Sequence, residues 1–329
     1  MRPAAAFSIL AVTSCAALAS GAGSWELPVP DAEADAPPGD CPAEAWTAWG
    51  ERCQMRQLEI KKDEKLGDDG LSLLAAAFAS GDCKTSGLHA PSQSIGPAGF
   101  ADLAAAIGKG ATKIGGLSLP SNTIGDEGLQ SLSKAMVDGE TALVSISLNE
   151  NQIGDDGAVA LAQAIETGKT KLAGIGLGDN QIGDRGLEAL ATACGTGKTK
   201  LTSLNLFNNK VGDAGMVALA SALETGTCGL TTLDLSRKPL PRFRHLPIAH
   251  GLCFTDILRV HARTVAVCQC VTTLRAANII GDEGAIALAA ALKTGKTQLK
   301  VVYLWGNKIE GAGKAALEPY SKIIDWSAP

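Results

Sequence analysis

The phrase Ile-Gly-Asp-x-Gly recurs at Ile124, Ile153, Ile182 and Ile280, and as Val-Gly-Asp-Ala-Gly at Val211, with looser copies beginning at Leu66, Ile95 and Ile309. From Leu66 to Val211 successive copies start 29 residues apart, and so do those at Ile280 and Ile309. A period of this size held over many copies marks one supersecondary unit that stacks on its own neighbours. It excludes a chain organised around a single globular core.

Each unit changes periodicity at the phrase. Before it, apolar residues alternate as in a strand, for example Ile146-Ser147-Leu148 and Leu204-Asn205-Leu206. After it they recur at helical spacing, as in Leu187, Leu190, Ala191 and Cys194, or Met216, Leu219, Ala220 and Leu223. Asp126, Asp155, Asp184, Asp213 and Asp282 sit where a helix N-cap belongs, able to accept from the open N–H groups of the first turn. Gly139, Gly168, Gly197, Gly226 and Gly295 lie past the helix ends, where a left-handed cap favours glycine. The expectation is an α/β solenoid, a curved horseshoe with a parallel inner sheet and outer helices, because no 29-mer can bury its own apolar face.

Segments such as Leu201-Thr-Ser-Leu204-Asn-Leu206-Phe-Asn-Asn209-Lys-Val211-Gly-Asp-Ala-Gly215 resemble the leucine-rich repeats of ribonuclease inhibitor and of NOD-like receptors. The resemblance runs from Leu66 to Leu317 with one interruption. It implies the horseshoe fold and a binding role. It also assigns Asn122, Asn151, Asn180, Asn209, Asn278 and Asn307 to a structural ladder whose amides bond neighbouring backbone, with Gln93 replacing asparagine in the first clear copy.

The interruption is Arg237–Ala276. Joining Ser236 to Ala277 restores the frame, and the 40 residues between carry six arginines, one lysine and one acid, against a net charge of −5 for the whole chain. Three readings compete: a binding loop leaving the solenoid on one face, a metal module, or a retained intron translated in frame. His245, His250, Cys253, His261, Cys268 and Cys270 are the candidate metal ligands, but Cys268-x-Cys270 is tighter than zinc spacings allow. No metal and no cofactor is expected.

Residues 1–22 read as a leader: Arg2, an apolar run over Ala4–Ala19, and small residues at Ala17-Leu18-Ala19 or Ser20-Gly21-Ala22. Residues 23–65 form an acidic, Pro/Ala-rich lead-in and N-terminal cap, in which Leu58-Glu-Ile60 is a candidate first strand one residue out of frame. Residues 66–236 are the main repeats, and 277–329 the last repeats with a C-terminal cap. An exported or secretory protein is the favoured localisation, with an organelle-targeted or cytoplasmic one if the leader is retained. Cys41 and Cys53 flank Trp46 and Trp49 and are a candidate cap disulfide in an oxidising compartment. Cys194 is expected in the core, and Cys83 and Cys228 in the helix-to-strand loops.

Several function classes fall away. A nucleic-acid binder would show a basic face, which the net charge does not supply. No segment after the leader is apolar and long enough to span a bilayer. Gly168-Lys-Thr170, Gly197-Lys-Thr199 and Gly295-Lys-Thr297 lack the earlier glycine of a phosphate loop and follow a helix instead of a strand, so they are helix caps repeated in phase. No nucleophile with a positioned base stands out in the repeats, and catalysis is not expected.

Strand alternation predicts a concave face of small residues from Gly116 to Gly178, with larger groups toward the C-terminal end. Phe207, Asp234, Tyr303 and Trp305 are the candidate contact residues, since aromatic side chains dominate binding energy; Trp305 equally suits a cap over the sheet end. The expected role is a monomeric, non-enzymatic scaffold binding a protein or peptide. The alternative is an intracellular regulator akin to innate-sensing receptors or GTPase activators, which predicts free thiols and an intact N-terminus.

Overall fold

A computed structural model describes residues 56–81, 83–110, 112–237 and 278–327. The leader, the Cys41–Cys53 pairing and the histidines and cysteines of the insertion lie outside the described residues.

Strands of two or three residues alternate with helices. The described strands are β1 (Gln57–Glu59), β2 (Gly87–His89), β3 (Gly116–Ser118), β4 (Ser145–Ser147), β5 (Gly174–Gly176), β6 (Ser203–Asn205), β7 (Thr232–Asp234), β8 (Val301–Tyr303) and β9 (Ile324–Asp325). The helices are α1 (Gly67–Ser80), α2 (Pro97–Gly108), α3 (Gly125–Asp138), α4 (Asp155–Glu166), α5 (Asp184–Gly195), α6 (Asp213–Glu224), α7 (Asp282–Lys293) and α8 (Gly311–Leu317). All nine strands form one parallel, unclosed sheet in chain order.

The middle residue of each strand points into the core. Leu58, Leu88, Leu117, Ile146, Ile175, Leu204, Leu233 and Val302 stack in register and are essentially inaccessible. Burying one such side chain stabilises by about 1.5–3 kcal/mol. From the helices come residues such as Leu187, Leu190 and Cys194 on α5, and Met216, Leu219 and Leu223 on α6.

In the turn after each strand a buried asparagine bonds three stretches of backbone. Asn180 Nδ2 donates to the carbonyls of Leu148, Leu177 and Gly178, while its Oδ1 accepts from the N–H groups of Asn151 and Ile153. Asn122, Asn151, Asn209, Asn278 and Asn307 make the corresponding bonds. Gln93 substitutes in the first copy, donating to Lys61 and accepting from Leu66.

The array continues in step across the insertion. Val211 N–H donates to Asn278 Oδ1 over 67 residues of sequence, where the equivalent Ile182–Asn209 bond spans 27. At the other end β1 pairs with β2 at a spacing of 30 (Leu58 with Leu88), one residue longer than the spacing between later strands.

Three expectations are corrected. The repeated aspartate does not cap its own helix. Asp155, Asp184, Asp213 and Asp282 occupy the first helical position with a glycine as the cap residue, Asp126 is the second residue of α3 behind the cap residue Ile124, and no described helix carries a side-chain cap of its own. The carboxylate reaches forward to the next repeat: Asp126 Oδ1 accepts from Gly154 at 2.6 Å and Gly157 at 2.9 Å, and Asp184 Oδ1 from Gly212 at 2.7 Å and Gly215 at 2.9 Å. This also explains the glycine two residues after Asp155, Asp184, Asp213 and Asp282, since a Cβ on Gly215 would stand 2.8 Å from Asp184 Oδ1 and one on the other three would meet the preceding aspartate in the same way. Second, Gly168, Gly197, Gly226 and Gly295 are left-handed, but Gly139 is extended at φ −121°. Glycine is required there for a different reason: a Cβ would fall 1.9 Å from the Gly108 carbonyl oxygen. Third, Cys194 is more than a packing residue, as it forms a disulfide with Cys228.

Candidate functional site

The concave face is the side of the sheet away from the leucine ladder. Hydrogen bonding across neighbouring strands arranges its side chains in rows. One row holds Glu59, His89, Ser118, Ser147, Gly176, Asn205, Asp234, Tyr303 and Asp325. Two residues further along each chain the ladder still holds, as Asn208 N–H donates to the Ser236 carbonyl and Arg237 N–H to that of Trp305. Phe207, Ser236 and Trp305 therefore form the next row.

The rows divide by size. β3 to β5 present serines and glycines. Asp234 on β7 and Tyr303 on β8 are register partners, and Phe207 and Trp305 stand in the turns two residues past β6 and β8, so the four candidate contact residues fall on three adjacent repeats. Phe207, Tyr303 and Trp305 are half-buried, and Asp234 is 7% exposed.

Asp234 Oδ1 accepts from both the backbone N–H (2.9 Å) and the hydroxyl (2.6 Å) of Ser236. Burial nevertheless pushes its pKa upward, outweighing these two bonds. Asp325 makes the same two bonds to Ser327 in an exposed setting, and there they hold the carboxyl below its usual range. Burial thus reverses the sign between two otherwise matching sites.

Trp305 also borders an open cleft of about 690 Å³ at the C-terminal end, between the last turn and α8. Leu304, Ile309 and Leu317 form its apolar floor, with Trp326, Lys314 and Glu318 around it. The sheet edge beyond β8 is covered by Ile324 of β9.

One contact was not anticipated: His89 Nδ1 lies 2.9 Å from Ser118 Oγ. A histidine next to a hydroxyl is half of a nucleophilic pair. The amides beside it are consumed by the sheet, however, with Ala90 N–H on the Ser118 carbonyl and Leu119 N–H on that of Ser147. Those two amides are therefore not free to hold an oxyanion. Among the described residues no cluster of His, Cys, Asp and Glu could hold a metal ion, and no helix is long and apolar enough to cross a membrane.

Cys194 and Cys228, both 1% exposed, join the end of α5 to the loop before β7. The sequence contained a signal for this pair. Each helix end packs on the next repeat's loop, as the Gly108–Gly139 approach shows; Cys194 takes the buried helix position of Ile165, and Cys228 the buried loop position of Thr170.

A sequence profile of the leucine-rich repeat family matches residues 117–133, 141–162, 177–191 and 197–220. Among solved structures, an internalin from Listeria monocytogenes is similar at 17% identity and a TM-score of 0.42, over 76% of this chain. The match spans half the length of that internalin. No curated protein matches the chain. With the family profile falling on successive strand–turn–helix units and the asparagine ladder between them, the chain is a leucine-rich-repeat protein.

Proposed function

We propose that this protein is a non-enzymatic interaction scaffold, exported from the reducing cytosol, that binds a protein or peptide on the C-terminal third of its concave face. One observation carries the reading: Phe207, Asp234, Tyr303 and Trp305 fall on three adjacent repeats, on β7 and β8 or in the turns after β6 and β8, beside a floor of serine and glycine. Small side chains let a partner approach the sheet closely, and the aromatic group supplies the anchoring area. The Cys194–Cys228 disulfide supports export, because such bonds persist in oxidising compartments. An intracellular sensor or GTPase activator would leave those thiols reduced. The protein acts as a monomer, and its net charge of −5 argues against nucleic acid.

The test is a selection of displayed peptides on the purified full-length chain. Captured peptides should lose affinity by about tenfold or more with Tyr303→Ala or Trp305→Ala, while the melting temperature changes little. Capture that ignores both substitutions would refute the concave-face reading.

A further inference from the structure

We infer that the concave site, given the reading above, takes a cationic side chain, an arginine or lysine of the partner, between the Asp234 carboxylate and the aromatic groups around it. Asp234 is 7% exposed as a residue, and among the described residues its carboxyl makes hydrogen bonds through one oxygen alone. Oδ1 carries both bonds from Ser236, and Oδ2 accepts none from the described residues. The side chains beside Asp234 in its row, Asn205 and Tyr303, bring no positive charge. No described lysine or arginine forms an ion pair with it either, since the described pairs are Lys134–Asp138 and Arg185–Asp156.

A carboxylate with most of its surface withdrawn from water gains from a donor placed on its open oxygen. A cationic donor answers both the missing hydrogen bond and the missing charge, whereas a neutral donor answers only the first. The surroundings select in the same direction. Phe207 and Trp305 lie one row on, over the two strands that flank Asp234, about two strand spacings or ~10 Å apart. Aromatic faces attract cations and pack against the alkyl stem of a lysine or arginine. Charge complementarity therefore picks a basic side chain from an extended segment of another protein.

The test uses the full chain labelled with 5-fluorotryptophan, the Trp305 resonance being assigned by its loss in Trp305→Phe. The probes are the N-acetyl methylamides of arginine, lysine and norleucine. The expected result is a saturable shift of the Trp305 resonance by the two cationic probes, at least tenfold tighter than by norleucine. Asp234→Asn keeps an acceptor for both Ser236 bonds and should remove that preference. Equal binding of norleucine, an undiminished preference in Asp234→Asn, or no shift with any probe overturns the inference. So does a resonance that responds to the probes only after residues 237–276 are deleted, which would make the chain's own basic segment the occupant. Failure of the concave reading is separately visible: selected peptides that need Tyr303 and Trp305 but contain no lysine or arginine leave that reading standing and defeat this one.

Discussion

Asp126 and Gly154 are 28 residues apart in sequence and bonded at 2.6 Å, carboxylate to backbone N–H. The same bond joins Asp68 to Gly96, Asp155 to Gly183, Asp184 to Gly212 and Asp213 to Gly281. One repeat breaks the series. Pro97 stands where the aspartate belongs, and the glycine it would have capped, Gly125, turns to φ +62° and gives its N–H to the Asn151 carbonyl. Gly67, which has no described repeat aspartate before it, does the same at φ +61° toward the Gln93 carbonyl. A forward-reaching carboxylate holds the cap glycine extended; without it the glycine goes left-handed.

This predicts a coupling between two positions. Gly125→Ala should cost about 1–2 kcal/mol, the strain of a left-handed residue with a Cβ. In a Pro97→Asp background the cost should shrink, because the supplied carboxylate lets residue 125 adopt the extended form. A double-mutant cycle by urea denaturation gives the coupling; purely additive effects would show that the aspartate does not set the glycine's conformation. In the intact series, Asp184→Ala should destabilise by about 1.5–3 kcal/mol through its two charge-assisted bonds, and Asp184→Asn by less.

The asparagine ladder makes a second prediction. Asn180→Ala strips partners from buried backbone on two repeats at once, so a loss of about 3 kcal/mol is expected, since each orphaned buried group costs about 1–3. Asn307→Ala, in a partly exposed turn near the end of the array, should cost less. Hydrogen exchange should show the Asn180 defect opening amides on both sides of its turn.

The strands, helices and asparagines were legible because a 29-residue period fixes which positions are equivalent. What the period cannot reveal is direction. Asp184 in phase with a helix start looks the same whether it caps its own helix or the next one, and only the stacking distance between repeats decides. Gly139 was misassigned for a related reason, because a glycine past a helix end serves equally for a positive φ and for close contact with Gly108. At the concave face, alternation brought Phe207, Asp234, Tyr303 and Trp305 to one side. It could not show that Asp234 is buried, which depends on the size of side chains on neighbouring strands.

The unbroken register on either side of residues 237–276 predicts that this segment can be removed. Asn278 already bonds the Leu235 and Ser236 carbonyls. Deleting Arg237–Ala276 joins Ser236 to Ala277 and should leave helicity intact. It should also raise stability by an amount on the order of 1–3 kcal/mol, because the ends of so long an insertion need no longer be brought together on folding. A chain that fails to fold after the deletion would mean that the segment belongs to the repeat core.

Reduction of Cys194–Cys228, or replacement of both by serine, should lower stability by roughly 3–4 kcal/mol for a loop of this length. Peptide mapping of the native protein under non-reducing conditions should recover the two cysteines as one linked pair. Recovery of both as alkylated thiols would remove the main support for export.

Asp234 gives the pH prediction. Its folded pKa lies above the ordinary value of 3.8 because burial disfavours the charged form. Between that value and the folded pKa the native state holds a proton that the unfolded chain has released. The group's contribution is therefore fully present below 3.8 and is lost as pH rises through the folded pKa. Asp234→Asn carries no charge at any pH and keeps an acceptor for Ser236, so its stability relative to wild type should improve as pH rises through this window and level off above it. Partner binding should run the opposite way, since a cation needs the ionised carboxylate, and affinity should fall as acid protonates Asp234. Parallel urea and binding titrations across that range check both slopes. Two slopes of the same sign would mean that the carboxylate which destabilises the free protein is not the group that holds the partner.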